Sequence, residues 1–248
     1  MSALLLDLGN TRWKMARAQG REIGTVDSGP YDDASGLRAA ARRGSAGLTR
    51  LVLASVAAAE TTDRIVDLLQ QTMGLPVERI RSTDPMPNMV AGYQRPEQLG
   101  VDRLLAMVAA RARGSGPLCV VDAGTAITVD FVAADGRHLG GFILPGIRMF
   151  RDCLLANTAI PRDSRVDERA VLGRDTPTAV ALGARYAVAG LVERFVCGSA
   201  ALFPGRTVQT FVGGGDAEQF LGLLPQPCIK LDHLVLRGLA VVAASGDP

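Results

Sequence analysis

Apolar runs and helical spacings of apolar residues follow one another in the same order twice along the chain. In the first half they predict three strands, then a helix, a strand, a helix, a strand and a helix, at 3–7, 12–18, 21–27, 33–43, 50–56, 60–73, 76–82 and from Val101. In the second half they predict three strands, two helices, then a strand, a helix, a strand and a helix, at 118–122, 126–133, 138–144, 147–158, 176–199, 207–212, 215–223, 227–230 and 233–244. The two halves therefore share the plan β-β-β-α-β-α-β-α, with two successive helices in place of the first helix of the second half.

This order predicts the fold class. Three successive strands followed by alternating helices and strands are typical of a ribonuclease H-like domain, here present twice in an α/β protein. The Asp135-Gly136 pair supports a hairpin between the second and third strands of the second half. The Gly-Ser-Gly-Pro segment at 114–117 predicts a boundary, so the expected domains are 1–114 and 117–248.

Each half carries the same turn at the end of its first strand. The first reads LLLDLGNT, with Asp7 at the strand end, and the second reads VVDAGTAIT, with Asp122 in the same place. Glycine lets the backbone approach a ligand closely, the N–H groups of the turn can bind phosphate oxygens, and a carboxylate can hold a metal ion. One such turn is more often only the end of a strand. Two copies favour a phosphate site, with turns from opposite sides of a cleft holding one phosphate chain.

The common nucleotide-binding motifs are absent from the sequence. It contains neither the P-loop pattern G-x-x-x-x-G-K-[ST] nor a G-x-G-x-x-G segment that opens a helix after a strand. A third glycine cluster, Gly213–Gly215, follows the predicted strand TVQTFV. It is equally consistent with a helix entry that needs positive φ and with close approach of the backbone to a nucleoside.

The segment between the two turns is the next most informative. It reads YQRPEQLGVDRLLAMVAARARG and opens an amphipathic helix after Gly100. On composition alone, Asp102 is an acid that meets the dipole of the helix in its first turn, and Arg103 is a solvated cation.

Composition and charge narrow the class of protein. The chain has 248 residues, of which 48% are hydrophobic and 21% charged, enough for one large or two modest cores. The formal net charge is +2, so no overall field favours nucleic acid or an anionic membrane surface. Trp13 and Tyr93 are too isolated to form a base-stacking platform. The two histidines, His138 and His233, are expected to be turn or helix-entry residues.

The cysteines and the N-terminus bear on location. The four cysteines have neither C-x-x-C spacing nor a nearby histidine, so we expect small buried apolar side chains in a reducing compartment; they are Cys119, Cys153, Cys197 and Cys228. The first apolar run is broken by Asp7 and is typical of a strand rather than of a signal peptide. No apolar stretch has the length of a membrane span, and a cytoplasmic protein is expected.

An ordered set of motifs resembles the type III pantothenate kinase family. The set comprises DLGNT with Lys14, Y-x-x-P-x-x-L-G-x-D-R from Tyr93, DAGTAIT from Asp122, GGFILPG from Gly140, VGGGDA near Gly214, and HLVLRGL at the end of the chain. The resemblance implies the fold of the superfamily of acetate and sugar kinases, heat-shock chaperones and actin, that is, the actin-like ATPase superfamily. It also implies a homodimer that transfers the γ-phosphoryl group of ATP or another nucleoside triphosphate to pantothenate, the first step of coenzyme A synthesis.

The resemblance assigns roles to individual residues. It implies that ATP with Mg²⁺ is bound by the first turn and by one residue of the second, namely Asp7, Leu8, Gly9, Asn10, Thr11, Arg12, Trp13, Lys14 and Thr125, with Asp7 near the magnesium. Asp102 is implied to be the base, and pantothenate is implied to bind Tyr93, Gly100, Val101, Asp102, Arg103 and Thr176. Asp122 is implied to lie at a monovalent cation, potassium or ammonium.

Thr176 is implied to reach the pantothenate site from the partner subunit. The sequence reads GRDT here, where the family more usually has GKNT, and Val212 stands where threonine is common before the glycine cluster. The apolar helix pattern at 178–195 contains small residues that permit close helix packing. It is equally consistent with a dimer interface and with a core helix.

Chemistry that does not depend on the resemblance agrees with a kinase, because phosphoryl transfer mainly requires positioning, charge neutralisation and one base. Three alternatives belong to other classes or substrates. An accessory or regulatory protein of the same fold would act by binding a partner, and the intact Asp102 and both turns argue against it. A nucleotide-driven chaperone would need a large substrate-binding region, and a sugar kinase would not share the Tyr93–Arg103 motif.

Overall fold

The computed structural model describes residues 2–160, 165–167, 169–224 and 227–245. The strands of the first half are β1 (Ser2–Leu8), β2 (Arg12–Gln19), β3 (Glu22–Pro30), β4 (Leu51–Ser55) and β5 (Val77–Arg79). Those of the second half are β6 (Leu118–Ala123), β7 (Ala126–Val132), β8 (His138–Pro145), β9 (Gln209–Gly213) and β10 (Cys228–Lys230). The α-helices are α1 (Ala34–Ser45), α2 (Ala59–Met73), α3 (Val101–Arg111), α4 (Ile147–Ala156), α5 (Thr176–Leu202) and α6 (Leu234–Ser245).

The two halves build the same five-stranded sheet. The strand order is β3-β2-β1-β4-β5 in the first sheet and β8-β7-β6-β9-β10 in the second. In the first sheet β1 pairs antiparallel with β2 and parallel with β4, and in the second β6 pairs parallel with β9. The predicted fold, two ribonuclease H-like domains in an α/β protein, is confirmed.

One predicted helix is wrong. The segment 215–223 forms two short 3-10 turns, Ala217–Gln219 and Leu221–Leu223. Glycine disfavours a helix interior, and this segment contains two glycines, Gly215 and Gly222. The residue before the segment, Gly214, has a φ of +95°. In addition, the N–H of Asp216 donates to the carbonyl of Ala123 at 3.0 Å, which directs the chain back to β6.

The central strand of the first sheet is buried on both faces. Every residue of β1 from Ala3 to Leu8 is buried, and its side chains divide between two hydrophobic clusters. Helices α3 and α6 cover one face, where Gly238 lies so close to the backbone of Leu105 that a Cβ at position 238 would be 2.1 Å from the Leu105 carbonyl oxygen. At the carboxyl end of β1 the chain leaves the sheet in a turn. In sheets with both faces covered, ligands bind at this end of the strands, and the candidate site residues of the first half lie in this turn.

Contacts divide the described residues into two units. The first contains the residues up to 115, the segment 132–140 and the residues from 233 onward; the second contains 116–131 and 141–232. The predicted domain limits, 1–114 and 117–248, stay a prediction. The chain passes from the first unit to the second between residues 115 and 116, within the predicted boundary. Two later segments of the second half, 132–140 and the residues from 233 onward, belong to the first unit.

The cysteines only partly match the expectation. Cys119 is buried, but Cys153 and Cys197 are exposed on α4 and α5, and Cys228 is intermediate. The expectation of burial is wrong for Cys153 and Cys197, because both lie on exposed faces of their helices. In the part of the chain that the structure describes, no helix is both long enough and apolar enough to span a membrane.

Candidate active site

The turn between β1 and β2 places a carboxylate and an ammonium group side by side. Asp7 is only 5% exposed, and its strand register sets it opposite Lys14 of β2. The Nζ of Lys14 lies 4.0 Å from Oδ2 of Asp7. The N–H of Gly9 donates to the carbonyl of Arg12 at 3.2 Å and closes the turn. The first turn therefore combines one negative and one positive group with backbone donors, as a site for a metal-bound phosphate requires.

Tyr31 stabilises this turn, although no sequence motif singles it out. Its hydroxyl donates to the carbonyl of Gly9 at 2.5 Å and to that of Arg12 at 3.3 Å. Burial, and then the nearby charge of Asp7, raise the pKa of Tyr31 to about 12, so the phenol keeps its proton at neutral pH. What could have indicated this role is the register of the hairpin formed by β2 and β3. It pairs Pro30 with Arg12 and so places the next residue, Tyr31, beside the turn.

The side chains of the turn divide into two groups. Those of Leu8 and Trp13 are buried in the core, Trp13 being 2% exposed with its Nε1 donating to the carbonyl of Pro30 at 3.0 Å. Any contact that these two residues make with a nucleotide is therefore made by the backbone. The side chains of Asn10, Thr11 and Arg12 are exposed.

The structure brings Tyr93 and Arg103 together at the start of α3. Arg103 is 5% exposed, and its Nη1 donates to the Tyr93 hydroxyl at 2.7 Å. Asp102 precedes it, and its Oδ1 accepts the N–H of Arg103 at 2.8 Å. A Cβ at Gly100 would be 2.4 Å from this oxygen, so a side chain at position 100 would displace the carboxylate. The interpretation of Arg103 as a solvated cation is wrong, because the guanidinium is buried.

The turn after β6 is packed against two further glycines. The N–H of Gly146, which precedes α4, donates to the carbonyl of Thr125 at 3.1 Å, and a Cβ there would be 2.5 Å from the same oxygen. Gly214 lies against Ala123 in the same way, with a Cβ–carbonyl oxygen distance of 2.3 Å. Asp122 pairs with Gly213 in the sheet. Backbone alone therefore surrounds the Asp122 turn on two sides.

The glycine cluster opens a tight turn and not a helix. Gly214 has the left-handed φ that this turn requires, and Asp216 follows it beside β6. Burial raises the pKa of Asp216, while the hydrogen bond from Gln219 and the charge of Arg148 lower it. The positive φ expected for a helix entry is present at Gly214, but no α-helix follows it; the close approach of this backbone to a nucleoside stays a prediction.

Thr176 is the first residue of α5. Asp175 caps this helix by accepting the N–H of Thr178 at 2.8 Å, so the aspartate of GRDT serves as the N-cap, a role that asparagine fills equally well. An open groove of about 700 Å³ lies beside it, lined by residues of α4, of 173–176 and of α5. Thr176 is exposed in this groove.

The two histidines differ. His233 immediately precedes α6 with φ +57° and is a helix-entry residue, as expected. His138 is the first residue of β8 and is 1% exposed, so the expectation of a turn or helix-entry residue is wrong for it. Its imidazole stacks on the ring of Tyr93.

Fold and turns together define the class of protein. Two ribonuclease H-like halves, each with an Asp-x-Gly turn after its central strand, form the nucleotide-binding fold of actin-like ATPases and sugar kinases. Solved structures share this fold at low identity. The ethanolamine utilization protein EutJ from Carboxydothermus hydrogenoformans has a TM-score of 0.57 and 16% identity, over 99% of this chain and 90% of that one. A Campylobacter jejuni protein assigned to the Baf family of transcriptional activators has a TM-score of 0.62 and 20% identity, over 98% of both chains.

Sequence similarity narrows this class to one family. The profile of the type III pantothenate kinase family matches residues 3–197. A type III pantothenate kinase from Halorhodospira halophila is 36% identical over 244 residues, which cover 95% of each chain. Another, from an Azoarcus species, is 37% identical over 246 residues, covering 98% of this chain and 90% of that one. The chain belongs to the type III pantothenate kinase family, and it is therefore an ATP-dependent kinase that phosphorylates pantothenate.

Loss of the Tyr31 hydroxyl should weaken the first turn selectively. We expect Tyr31→Phe to raise the KM for ATP about 2- to 10-fold, because a hydrogen bond of this kind contributes about 0.5–1.5 kcal/mol. The KM for pantothenate should stay within about twofold of wild type. Steady-state kinetics with Thr207→Val, which removes an exposed hydroxyl outside the proposed sites, as the control would test this. An equal rise in both KM values would contradict a role confined to the turn.

The raised pKa of Tyr31 also fixes the sign of a pH effect. The folded protein holds the phenolic proton more tightly than the unfolded chain does, so the stabilisation is complete below about pH 10 and is lost as pH rises toward 12. The difference in unfolding free energy between wild type and Tyr31→Phe should therefore shrink over this interval. Denaturant unfolding at pH 9 and at pH 11 measures it.

Proposed function

We propose that Asp102 is the general base of the kinase and that Tyr93 and Arg103 bind pantothenate beside it. The observation that carries this is the Arg103–Tyr93 pair at the start of α3. A buried guanidinium that reaches the hydroxyl of a half-buried tyrosine is an arrangement suited to an anionic, hydroxyl-bearing substrate. Gly100 and Val101 complete the helix start, where Gly100 leaves room for the carboxylate.

The proposed proton transfer needs one carboxylate. The primary hydroxyl of pantothenate gives its proton to Asp102, its oxygen forms the bond to the γ-phosphorus, and the bond from that phosphorus to the leaving ADP oxygen breaks. The N–H of Arg103 holds one oxygen of Asp102 at the helix start and so orients the base. Positioning and charge neutralisation then supply most of the rate enhancement.

We propose that the first turn, Asp7 to Lys14, holds the triphosphate of ATP with its Mg²⁺ and that Thr125 contacts a phosphate. No three acidic, histidine or cysteine side chains lie together as a metal cluster among the described residues. Mg²⁺ that arrives with a nucleotide needs only one or two carboxylates, since phosphates and water supply the other ligands. Asp7, at the mouth of a turn with backbone donors and with Lys14 beside it, fits that requirement. The bound ion would neutralise the charge of the phosphates.

We assign the monovalent cation, potassium or ammonium, to Asp122. Potassium and ammonium are bound by oxygen atoms, and the Asp122 turn offers a carboxylate together with the backbone of the turn, packed against Gly146 and Gly214. The close glycine contacts keep that backbone in one geometry. A cation would reduce the negative charge next to the phosphate chain.

The proposed active form is a homodimer, with Thr176 contributed by the partner. One side of α5 is in the core of its own unit, as Ala184 and Val188 show, while Tyr186 and Leu191 are 47% and 37% exposed on another side. Gly183, Ala187 and Gly190 lie on that exposed side as well. Between residues 183 and 191 this exposed side consists of glycine, alanine, tyrosine and leucine, and small residues of this kind permit close packing against another helix. Both sequence interpretations of this helix, core and interface, are therefore supported, each by a different face.

The proposed location is the cytoplasm. Two of the cysteines, Cys153 and Cys197, are exposed free thiols in this structure. Exposed free thiols persist in a reducing compartment.

Replacing the base should cost turnover and not folding. We expect Asp102→Asn to lower kcat by about 10²- to 10⁴-fold, because positioned proton transfer contributes on that order. Glu60→Gln is the matched control, since Glu60 is the first-turn acid of α2 and shares only the helix-dipole role. Thermal unfolding of both variants separates the two effects. Turnover of Asp102→Asn within about threefold of wild type would show that Asp102 is only a helix-start acid.

The two strand-end aspartates should fail differently. Asp7→Asn should raise the Mg²⁺ concentration needed for half-maximal rate, because an amide is a poor substitute for a carboxylate on a hard divalent ion. Asp122→Asn should instead change the dependence on potassium. Separate titrations of Mg²⁺ and K⁺ test this, with Asp67→Asn, an exposed α2 residue, as the control. Identical shifts in both titrations would contradict the assignment.

Mixed dimers test the shared site. Asp102→Asn and Thr176→Arg should each be inactive alone, but a dimer with one subunit of each has one site with both lesions and one with none. Subunit exchange should therefore restore about half of the wild-type activity per mixed dimer, by this count of sites. Thr207→Arg, at another exposed threonine, is the control for the introduced charge. No recovery after exchange verified by two affinity tags would place the whole site in one subunit.

A further inference from the structure

We propose that His138 is a positioning residue for pantothenate binding, which holds the ring of Tyr93 in the orientation that Arg103 then completes. This inference rests on the proposed role of Tyr93 and Arg103. His138 belongs to the second half of the sequence. In the structure, however, its segment, 132–140, is part of the first unit, as are Tyr93 and Arg103.

The loop before Tyr93 is fastened to the hairpin between β7 and β8 by backbone hydrogen bonds. The N–H of Val90 donates to the carbonyl of Gly136, and the N–H of His138 donates to the carbonyl of Val90, both at 3.0 Å. Gly136 has φ +89°, and a Cβ there would be 2.3 Å from the carbonyl oxygen of Asn88. The hairpin therefore sets the path of the chain that leads into Tyr93.

The same hairpin sets the position of the Tyr93 ring. A Cβ at Gly92 would be 1.8 Å from the carbonyl oxygen of His138, so the two backbones are in direct contact at this point. The next side chain, Tyr93, stacks on the imidazole of His138 with a centroid distance of 5.7 Å and an interplanar angle of 16°. This is an offset-stacked aromatic pair.

Arg103 fixes the remaining freedom of the ring. Its Nη1 donates to the Tyr93 hydroxyl at 2.7 Å, and its guanidinium carbon is 5.6 Å from the ring centroid. With the imidazole against the ring and the guanidinium at its hydroxyl, rotation of the Tyr93 side chain is restricted at both ends. Tyr93 itself is half-buried, so its remaining surface is open to a ligand.

His138 acts through Tyr93 and does not touch the ligand. It is 1% exposed, which leaves no surface for a direct contact with a molecule from solution. A flat ring at position 138 is the property that the stack requires. A pre-oriented ligand contact raises affinity by lowering the ordering cost of binding.

The test compares ring shape at position 138. His138→Leu should raise the KM for pantothenate by about 3- to 10-fold, the size expected for one lost aromatic pair, with kcat and the KM for ATP within about twofold of wild type. His138→Phe, which keeps a flat ring, should return the KM for pantothenate to near the wild-type value. Thermal unfolding verifies that each variant is folded. If His138→Leu does not fold, His138→Gln is the polar variant without an aromatic ring and should show the same rise.

A double-mutant cycle with Tyr93→Ala separates this inference from the proposed function. The effect of His138→Leu should vanish in the Tyr93→Ala background, because the stack is already absent. If Tyr93→Ala raises the KM for pantothenate while His138→Leu and His138→Gln do not, the positioning role is wrong and the proposed site stands. If Tyr93→Ala leaves that KM unchanged, the proposed site itself is wrong. If His138→Phe and His138→Leu both lower kcat and raise both KM values to the same extent, His138 has a purely structural role.

Discussion

Burial of one central strand in each sheet constrains the rest of this structure. From Ala3 to Leu8, β1 is covered on both faces, and its backbone is paired on both edges, antiparallel with β2 and parallel with β4. A polar ligand can therefore approach β1 only at one of its two ends, and the Asp-x-Gly turn follows the carboxyl end. Asp7 and the turn after it occupy that end, and Asp122 occupies the equivalent end of β6. The duplicated sheet thus explains why the chemistry also appears twice.

Each of these turns is held by contacts with other parts of its own unit. In the first, the Tyr31 hydroxyl bonds two backbone carbonyls, and its raised pKa keeps the donor proton in place. In the second, Gly146 and Gly214 bring backbone against the turn at distances that any side chain would prevent. The two turns are thus braced by different means. This difference is consistent with specialised roles, a metal-bound triphosphate for the first and a monovalent cation for the second.

The proposed pantothenate site is organised around the start of α3. Burial of a guanidinium is costly unless it is well paired, and Arg103 is paired to the Tyr93 hydroxyl. The stack of Tyr93 on His138 links this pair to the hairpin between β7 and β8. The Tyr93–Arg103 pair, the start of α3 and the hairpin between β7 and β8 therefore form one connected structure. Changes in the hairpin should affect pantothenate binding before they affect phosphoryl transfer.

The sequence by itself determined the order of strands and helices, the two Asp-x-Gly turns and the family, because hydrophobic period and short motifs are local properties. It did not determine that Arg103 is buried, that Tyr31 braces the first turn or that His138 lies against Tyr93. The last two residues are 45 positions apart, and only the pairing of the hairpin with the loop at 88–93 brings them together. The segment 215–223 is the converse case, in which a helical pattern gave way to 3-10 turns. There, each glycine disfavours a helix interior by about 1 kcal/mol relative to alanine, and the left-handed φ of Gly214 and the hydrogen bond from Asp216 to β6 direct the chain into a turn.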